Sequence, residues 1–116
     1  MILHLVLYRP RPNVTHEQLK SFALELQRLF QAVPAIKRAV VGKRTDFDAG
    51  YQRSLGETTY NYVAVLEFED EPGLIEYLTH PGHRLVGKLF WELCESTSVI
   101  EARAADIRIG IPDYLG

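Results

Sequence analysis

The sequence predicts one α+β domain whose elements follow the order β-α-β-β-α-β. Three observations support this fold class. Strand-forming patterns occur at four separate places, a strong helical periodicity lies between the first two, and a second helical segment lies between the last two. The chain has 116 residues, which is enough for one domain with its own hydrophobic core.

The first strand is predicted over residues 2–9, a run of strand formers that ends at the breaker cluster 10–12. A helix follows, because Thr15 and Gln18 have the spacing of a capping box and apolar residues then recur at helical spacing. Pro34 ends this helix, since the residue before a proline avoids the α region.

The middle of the chain predicts two strands joined by a loop. Residues 36–43 are rich in β-branched side chains, and residues 60–69 alternate between two sets of apolar positions. Residues 45–59 combine Asp, Gly and Ser with little periodicity, which indicates a long loop.

The second helical part is predicted as two pieces. Asp70 can cap a short helix over residues 71–78, and Pro81 separates it from a longer helix that runs to about Glu95. Residues 97–106 then form the last strand. The domain therefore covers residues 1–106.

This order is that of a ferredoxin-like fold, with an antiparallel four-stranded sheet whose helices cover one face. The first strand is nevertheless apolar on both faces, because Leu3, Leu5 and Leu7 alternate with Val6 and Tyr8. Leaving three leucines in water would forfeit several times the roughly 1.5–3 kcal/mol that burial of each provides. We therefore expect a homodimer, in which two sheets pack face to face as a dimeric α/β barrel.

Two features near the C-terminus have open interpretations. Residues 107–116 are predicted as an extension whose first half alternates like a strand, so it could extend a sheet edge or cross to a partner. Trp91 lies away from the apolar line of its helix, which fits either a partly exposed position or a contact with a partner chain.

The composition argues against several classes of function. The net charge is −2 and no basic tract exists, so nucleic acid is not an expected partner. No apolar run approaches the ~20 residues of a membrane span, and no signal peptide is visible. The single cysteine, Cys94, fits a reducing compartment, so a cytoplasmic location is expected. Neither a nucleotide-binding glycine motif nor a set of metal ligands is present, so we expect no cofactor and no metal.

The densest group of candidate catalytic residues lies around the break between the two helical pieces. His83 falls in the first turn of the second piece, where a helix N-terminus keeps imidazole neutral, the form that a general base needs. Tyr77 lies on the packed face of the preceding helix, and His4 is a histidine in a mostly apolar strand. Each of the two histidines could instead be structural, and His80 could simply cap the helix.

Four segments of the sequence form a recognisable set. They are Ile2-Leu3-His4-Leu5-Val6-Leu7, the turn Pro34-Ala35-Ile36 with Gly42 after it, the strand end Glu67-Phe68-Glu69-Asp70, and Tyr77-Leu78-Thr79-His80-Pro81-Gly82-His83. Together they resemble the stress-responsive dimeric α/β-barrel (Dabb) family over about residues 1–106. The resemblance implies a ferredoxin-like protomer and a homodimer whose sheets form the barrel.

The resemblance also implies site residues, taken from a plant polyketide cyclase of this family. Its catalytic tyrosine and histidine correspond to Tyr77 and His83, and its first-strand histidine corresponds to His4. It implies a substrate pocket between sheet and helices whose walls would be Phe22, Leu26, Phe30, Tyr62, Ala64 and Leu66. Tyr62 replaces another histidine of that enzyme and the loop 45–59 is longer, so the substrate does not transfer.

Two functional hypotheses remain open at this point. The first is a cofactor-free enzyme related to polyketide cyclases, or a lyase or isomerase, that removes a proton α to a carbonyl. The second is a non-catalytic module that binds a small apolar ligand or takes part in a stress-related protein interaction.

Overall fold

The structure, a computed structural model, describes residues 1–51, 54 and 60–116, and its element order confirms the predicted fold class. The elements are β1 (Ile2–Pro10), α1 (His16–Ala32), β2 (Ile36–Lys43), β3 (Tyr62–Phe68), α2 (Glu71–Thr79), α3 (Pro81–Leu93) and β4 (Cys94–Arg103), followed by a short 3-10 turn (Asp113–Leu115). The four strands form one antiparallel sheet in the order β2-β3-β1-β4. The protomer is therefore a ferredoxin-like α+β fold.

Helix α1 begins at the predicted capping box. The Gln18 backbone N–H donates to the Thr15 hydroxyl at 3.1 Å, and the Thr15 backbone N–H donates to the Gln18 side-chain oxygen at 2.8 Å. These two hydrogen bonds satisfy backbone donors that have no partner inside the helix. The helix ends at Val33, directly before Pro34, as the sequence predicts.

The strand register determines which side chains face the helices. On β1, His4 lies opposite Leu66 of β3 and Glu101 of β4. Since side chains alternate along a strand, the even-numbered residues of β1 and their cross-strand partners share this face. The buried residues of this face and of the helices form the core: Tyr8, Phe22, Leu26, Leu29, Val33, Ala64, Leu66, Phe68, Leu74, Tyr77, Val86 and Cys94.

The opposite face of the sheet has an apolar surface that no described element covers. Leu3, Leu5 and Leu7 lie there, paired with positions of β3 that include Val63 and Val65, and all five are only half-buried. This confirms the prediction that β1 is apolar on both faces. We call this surface the open face, in contrast to the helix face.

The C-terminal part of the chain differs from the sequence prediction in two ways. The last strand starts earlier, at Cys94, because β1 remains paired with it as far as Pro10. Residues 107–111, which alternate like a strand, form no strand here, since Ile109 donates a hydrogen bond to the Asp106 carbonyl in a turn. They therefore do not extend an edge of the sheet, and a crossing to a partner stays a prediction.

Two further predictions concern the loop after β2 and membrane-spanning helices. Residues 52, 53 and 55–59 of the predicted loop 45–59 lie outside the described residues, and the described stretch 45–51 contains no helix or strand. Among the residues that the structure describes, no helix is both long enough and apolar enough to cross a membrane.

Candidate active site

A cavity of about 280 Å³ lies between the helix face of the sheet and the helices. Its wall is mainly aromatic and aliphatic, and its polar members are few, which is the usual composition of a small-molecule site. The lining residues are His4, Val6, Tyr8, Phe22, Leu26, Phe30, Ala64, Leu66, Tyr77, Leu78, His83, Val86, Gly87, Phe90, Trp91, Val99 and Glu101. All three predicted catalytic residues, His4, Tyr77 and His83, are among them.

His83 reaches the cavity from the first turn of α3. His80 caps this helix, since its ring nitrogen Nδ1 accepts a hydrogen bond from the Gly82 backbone N–H at 3.0 Å. Burial, and after it the nearby charge of His4, lowers the pKa of His83 below its ordinary value of 6.5. The predicted neutral imidazole is therefore present at pH 7, although its main cause is burial rather than the helix N-terminus.

Tyr77 stands between the two histidines. Its ring meets the His83 ring edge-on, with centroids 4.9 Å apart, and lies 5.7 Å from the His4 ring. Burial raises the pKa of Tyr77 to about 12, so the phenol stays protonated at neutral pH. None of the described residues forms a hydrogen bond with this hydroxyl. Every fully buried polar side-chain atom of the described residues has a hydrogen-bond partner, so the Tyr77 hydroxyl is not fully buried. The hydroxyl is therefore open to the cavity and available to a ligand.

His4 is buried, with 6% of its surface exposed, and is held by a carboxylate from the neighbouring strand. Its Nδ1 lies 2.9 Å from Oε1 of Glu101, whose side chain is 44% exposed. A histidine that uses one ring nitrogen in this way keeps a fixed ring orientation and leaves Nε2 for another partner. Sequence reasoning missed Glu101, because only the register of β4 on β1 shows that it lies opposite His4.

Five of the six predicted wall residues line this cavity, and Tyr62 does not. Tyr62 lies opposite Tyr8 on the neighbouring strand, and the two rings stack 5.2 Å apart and nearly parallel. Tyr62 therefore lies at the Tyr8 end of the helix face, roughly 13 Å along the strand from the level of His4. It lines instead an adjoining groove of about 470 Å³ between α1 and β2.

Helix α3 supplies wall residues that the sequence did not indicate. Gly87, Phe90 and Trp91 line the cavity on this side, and Val99 of β4 lies across from them. Trp91 is 63% exposed in the single protomer, which fits both interpretations open from the sequence. The spacing 83, 87, 91 could have suggested a common helix face, but no sequence signal indicated that this face borders a cavity.

The described residues contain no cluster of three or more His, Cys, Asp or Glu side chains placed to hold a metal ion. Cys94 is buried, and burial raises the pKa of its thiol to about 11. The thiol is therefore protonated at neutral pH, which makes it a core residue rather than a nucleophile.

The fold and the cavity together define a class: small ferredoxin-like proteins with one apolar, histidine-containing pocket under the helices. The family is also shown directly. The family model of the stress-responsive A/B barrel domain (Dabb) matches residues 2–104, and the chain belongs to this family. A search of curated proteins found no match.

Solved structures with the same fold include both uncharacterised proteins and enzymes. A dimeric ferredoxin-like protein of unknown function from Thermobifida fusca is 23% identical, with a TM-score of 0.72 over 89% of this chain and 90% of that one. The hydroxynitrile lyase of Passiflora edulis is 17% identical, with a TM-score of 0.72 over 87% and 90% of the two chains. SnoaB, a cofactor-independent oxygenase from Streptomyces nogalater, is 14% identical, with a TM-score of 0.69 over 90% and 93%. At these identities the similarity shows the fold alone.

Proposed function

We propose that this protein is a homodimeric, cofactor-independent enzyme that removes a proton α to a carbonyl group, in the manner of a polyketide cyclase or a related lyase or isomerase. The observation that supports this most is the convergence of His83, Tyr77 and His4 on one apolar cavity. Two of its structural neighbours are a hydroxynitrile lyase and a cofactor-independent oxygenase, so catalysis without a cofactor has precedent in this fold.

In this proposal His83 is the general base. A base must be unprotonated at working pH, and the lowered pKa of His83 meets that requirement. A proton between two carbonyl groups is already acidic, because the resulting enolate spreads its charge over both oxygens. The protein then has to supply only orientation and a route for the proton.

Tyr77 supports the developing enolate oxygen. With its pKa raised to about 12, Tyr77 remains a hydrogen-bond donor at neutral pH. Its hydroxyl has no partner among the described residues, so it does not have to exchange an internal hydrogen bond for one to the substrate. A donor held in advance in a desolvated site stabilises an oxyanion more than one in water does.

His4 and Glu101 have a supporting role. The contact at 2.9 Å fixes the His4 ring at 5.7 Å from Tyr77, on the cavity wall. Nε2 of His4 can then accept or donate a hydrogen bond to a second oxygen of the substrate. A substrate with two carbonyl oxygens, such as a poly-β-keto thioester, could contact Tyr77 and His4 at the same time.

The open face supports the proposed homodimer. Three leucines of β1 and the valines beside them remain half-buried in one protomer, and a second copy would remove them from water. The Thermobifida fusca neighbour is described as dimeric, which supports the same arrangement here. In this arrangement the cavities lie on the outer, helix-covered sides of the two sheets.

The test is turnover of a small poly-β-keto thioester, 3,5-dioxohexanoyl-N-acetylcysteamine, by the wild-type protein and two variants. We expect His83→Ala and Tyr77→Phe to lower the rate by about 10²–10⁴. His16→Ala is the matched control, because His16 is exposed at the start of α1 and does not line the cavity. Equal loss in all three variants, or full activity in His83→Ala, would contradict the proposed base.

A second candidate is a non-catalytic protein that binds a small apolar ligand in the same cavity. The mainly apolar wall favours it, since such walls bind without chemistry as readily as with it. In that case the thioester would bind and raise the melting temperature, but wild type and His83→Ala would both leave it unchanged.

A further inference from the structure

Gly87 is an unexplained glycine in the middle of a helix. It is the seventh of the 13 residues of α3, and glycine is a poor helix former because it loses the most backbone entropy. Two structural reasons usually require a glycine: a positive φ angle, or a close neighbour that leaves no room for a side chain. Among the described glycines only Gly50 has a positive φ, so the first reason does not apply.

The second reason does not apply either. A Cβ atom added to Gly87 would meet no atom within 4 Å, apart from its own helix backbone and chain neighbours. At Gly82, in the same helix, a Cβ would approach the Leu29 side chain to 3.1 Å. The space beside Gly87 is therefore empty, and that space is part of the cavity.

The position of this empty space relates it to the proposed site. His83 and Trp91 stand four residues before and after Gly87, so all three lie on one face of α3 and all three line the cavity. Val99 of β4 lines the same cavity. Val99 is 47% exposed and Trp91 is 63% exposed. The missing side chain thus leaves open space in the part of the cavity that His83, Trp91 and Val99 line, and we call this space the slot.

We infer that Gly87 is a specificity-determining residue whose missing side chain admits a flat, conjugated part of the substrate to His83. This rests on the proposed function, and it defines the substrate class more narrowly. The slot is bounded by the Trp91 indole, the bare helix backbone and the Val99 side chain, which suit a planar group such as an enolised β-dicarbonyl or an aromatic ring.

The inference predicts an unusual pair of effects for Gly87→Ala. Alanine is the better helix former and has room here, so the melting temperature should rise by about 2–6 °C. The same methyl group narrows the slot, so binding of the thioester should weaken. Gly87→Leu should fill the slot and weaken binding by about tenfold or more.

Binding can be followed without turnover, because Trp91 is the single tryptophan of the chain and borders the slot. The probe is 3,5-dioxohexanoyl-N-acetylcysteamine, titrated against Trp91 fluorescence and repeated by calorimetry for wild type, Gly87→Ala and Gly87→Leu. Ser21→Ala, on the exposed surface of α1, is the control for added helix propensity alone, and should leave the dissociation constant unchanged.

The outcomes separate this inference from the proposed catalysis. The inference is supported if the wild type binds the thioester saturably, Gly87→Ala binds it more weakly and Gly87→Leu binds it most weakly. This holds whether or not the thioester is turned over. Unchanged binding in Gly87→Leu, with the protein folded, would overturn it and make Gly87 a simple helix defect. Absence of any saturable binding by wild type up to millimolar concentration would overturn it as well.

Discussion

The two faces of the sheet differ in the side chains that β1 presents to them and in how deeply those side chains are buried. On β1, His4 points to the helix face and is 6% exposed, while its neighbour Leu5 points to the open face and is only half-buried. The helix face encloses a cavity with a few polar groups that are held in place. The open face consists of apolar side chains at the centre of the sheet. In our proposal, the alternation of side chains along β1 separates the catalytic face from the association face.

This separation has a physical consequence for substitutions. Changes on the helix face alter the core or the cavity of each protomer, and their effect does not depend on protein concentration. Changes on the open face alter an association, so their effect does depend on concentration. Each of the following predictions tests whether a residue belongs to the face to which the structure assigns it.

The largest effect is expected for Leu5→Asp, at the centre of the open face. In a dimer the substitution would bury one unpaired carboxylate from each protomer, and each costs several kcal/mol. We expect the protein to change from a dimer to a monomer at micromolar concentration, as measured by light scattering.

The control is Leu24→Asp, which introduces the same change at an exposed leucine of α1, 47% exposed. This variant should remain a dimer. A monomeric wild-type protein, or a dimeric Leu5→Asp variant, would be incompatible with the proposed role of the open face.

The next effect is expected for Phe68→Ala on the helix face. Phe68 is fully buried, and removing such a side chain typically costs about 3–5 kcal/mol through lost burial and the cavity left behind. Chemical denaturation should show this loss in the free energy of unfolding at several protein concentrations. The folded variant should still be a dimer. A small loss, or a loss confined to low concentration, would show that the core is not where the structure indicates.

The pH dependence of activity should follow His83. Because the pKa of His83 is lowered from 6.5, the base stays neutral at pH 7, and kcat/KM should fall only when the pH drops below about 6.5. The free energy of unfolding should also decrease as the pH falls. The unfolded chain binds the proton first, so this contribution is intact above pH 6.5 and is lost as the pH falls through the folded-state pKa.

The measurement is a pair of pH profiles, one of kcat/KM and one of the denaturation midpoint, for wild type and His83→Ala. The variant should lack the part of the stability change that lies just below pH 6.5. An acidic limb of kcat/KM centred above pH 6.5 would mean that another group, or a His83 without burial, acts as the base.

The sequence was sufficient for the fold but for only part of the site. The capping box at Thr15 and the two-faced pattern of β1 are local signals, and both correspond directly to what the structure contains. His4, Tyr77 and His83 were singled out from their places in the predicted elements and again by a family resemblance, and the structure brings them to one cavity. The catalytic roles themselves stay predictions.

The main omission concerns cross-strand register, which cannot be obtained from one strand alone. Glu101 was missed because its distance from His4 depends on how β4 pairs with β1. Tyr62, which the resemblance places in the wall of the pocket, stacks on Tyr8 and is not among the residues that line the cavity.

The smallest effect is expected for Glu101→Gln, which tests how the helix face holds His4. Glutamine keeps an oxygen near the His4 Nδ1 but removes the charge, so the ring should be held less firmly. We expect kcat/KM to fall by about threefold to tenfold with little change in the melting temperature, because the Glu101 side chain is 44% exposed. Glu95→Gln makes the same change on the same strand at the surface pair with Arg9, and should leave kcat/KM unaltered. If the two variants behave alike, the contact between His4 and Glu101 is a surface ion pair with no part in positioning, and the helix face contains two functional side chains rather than three.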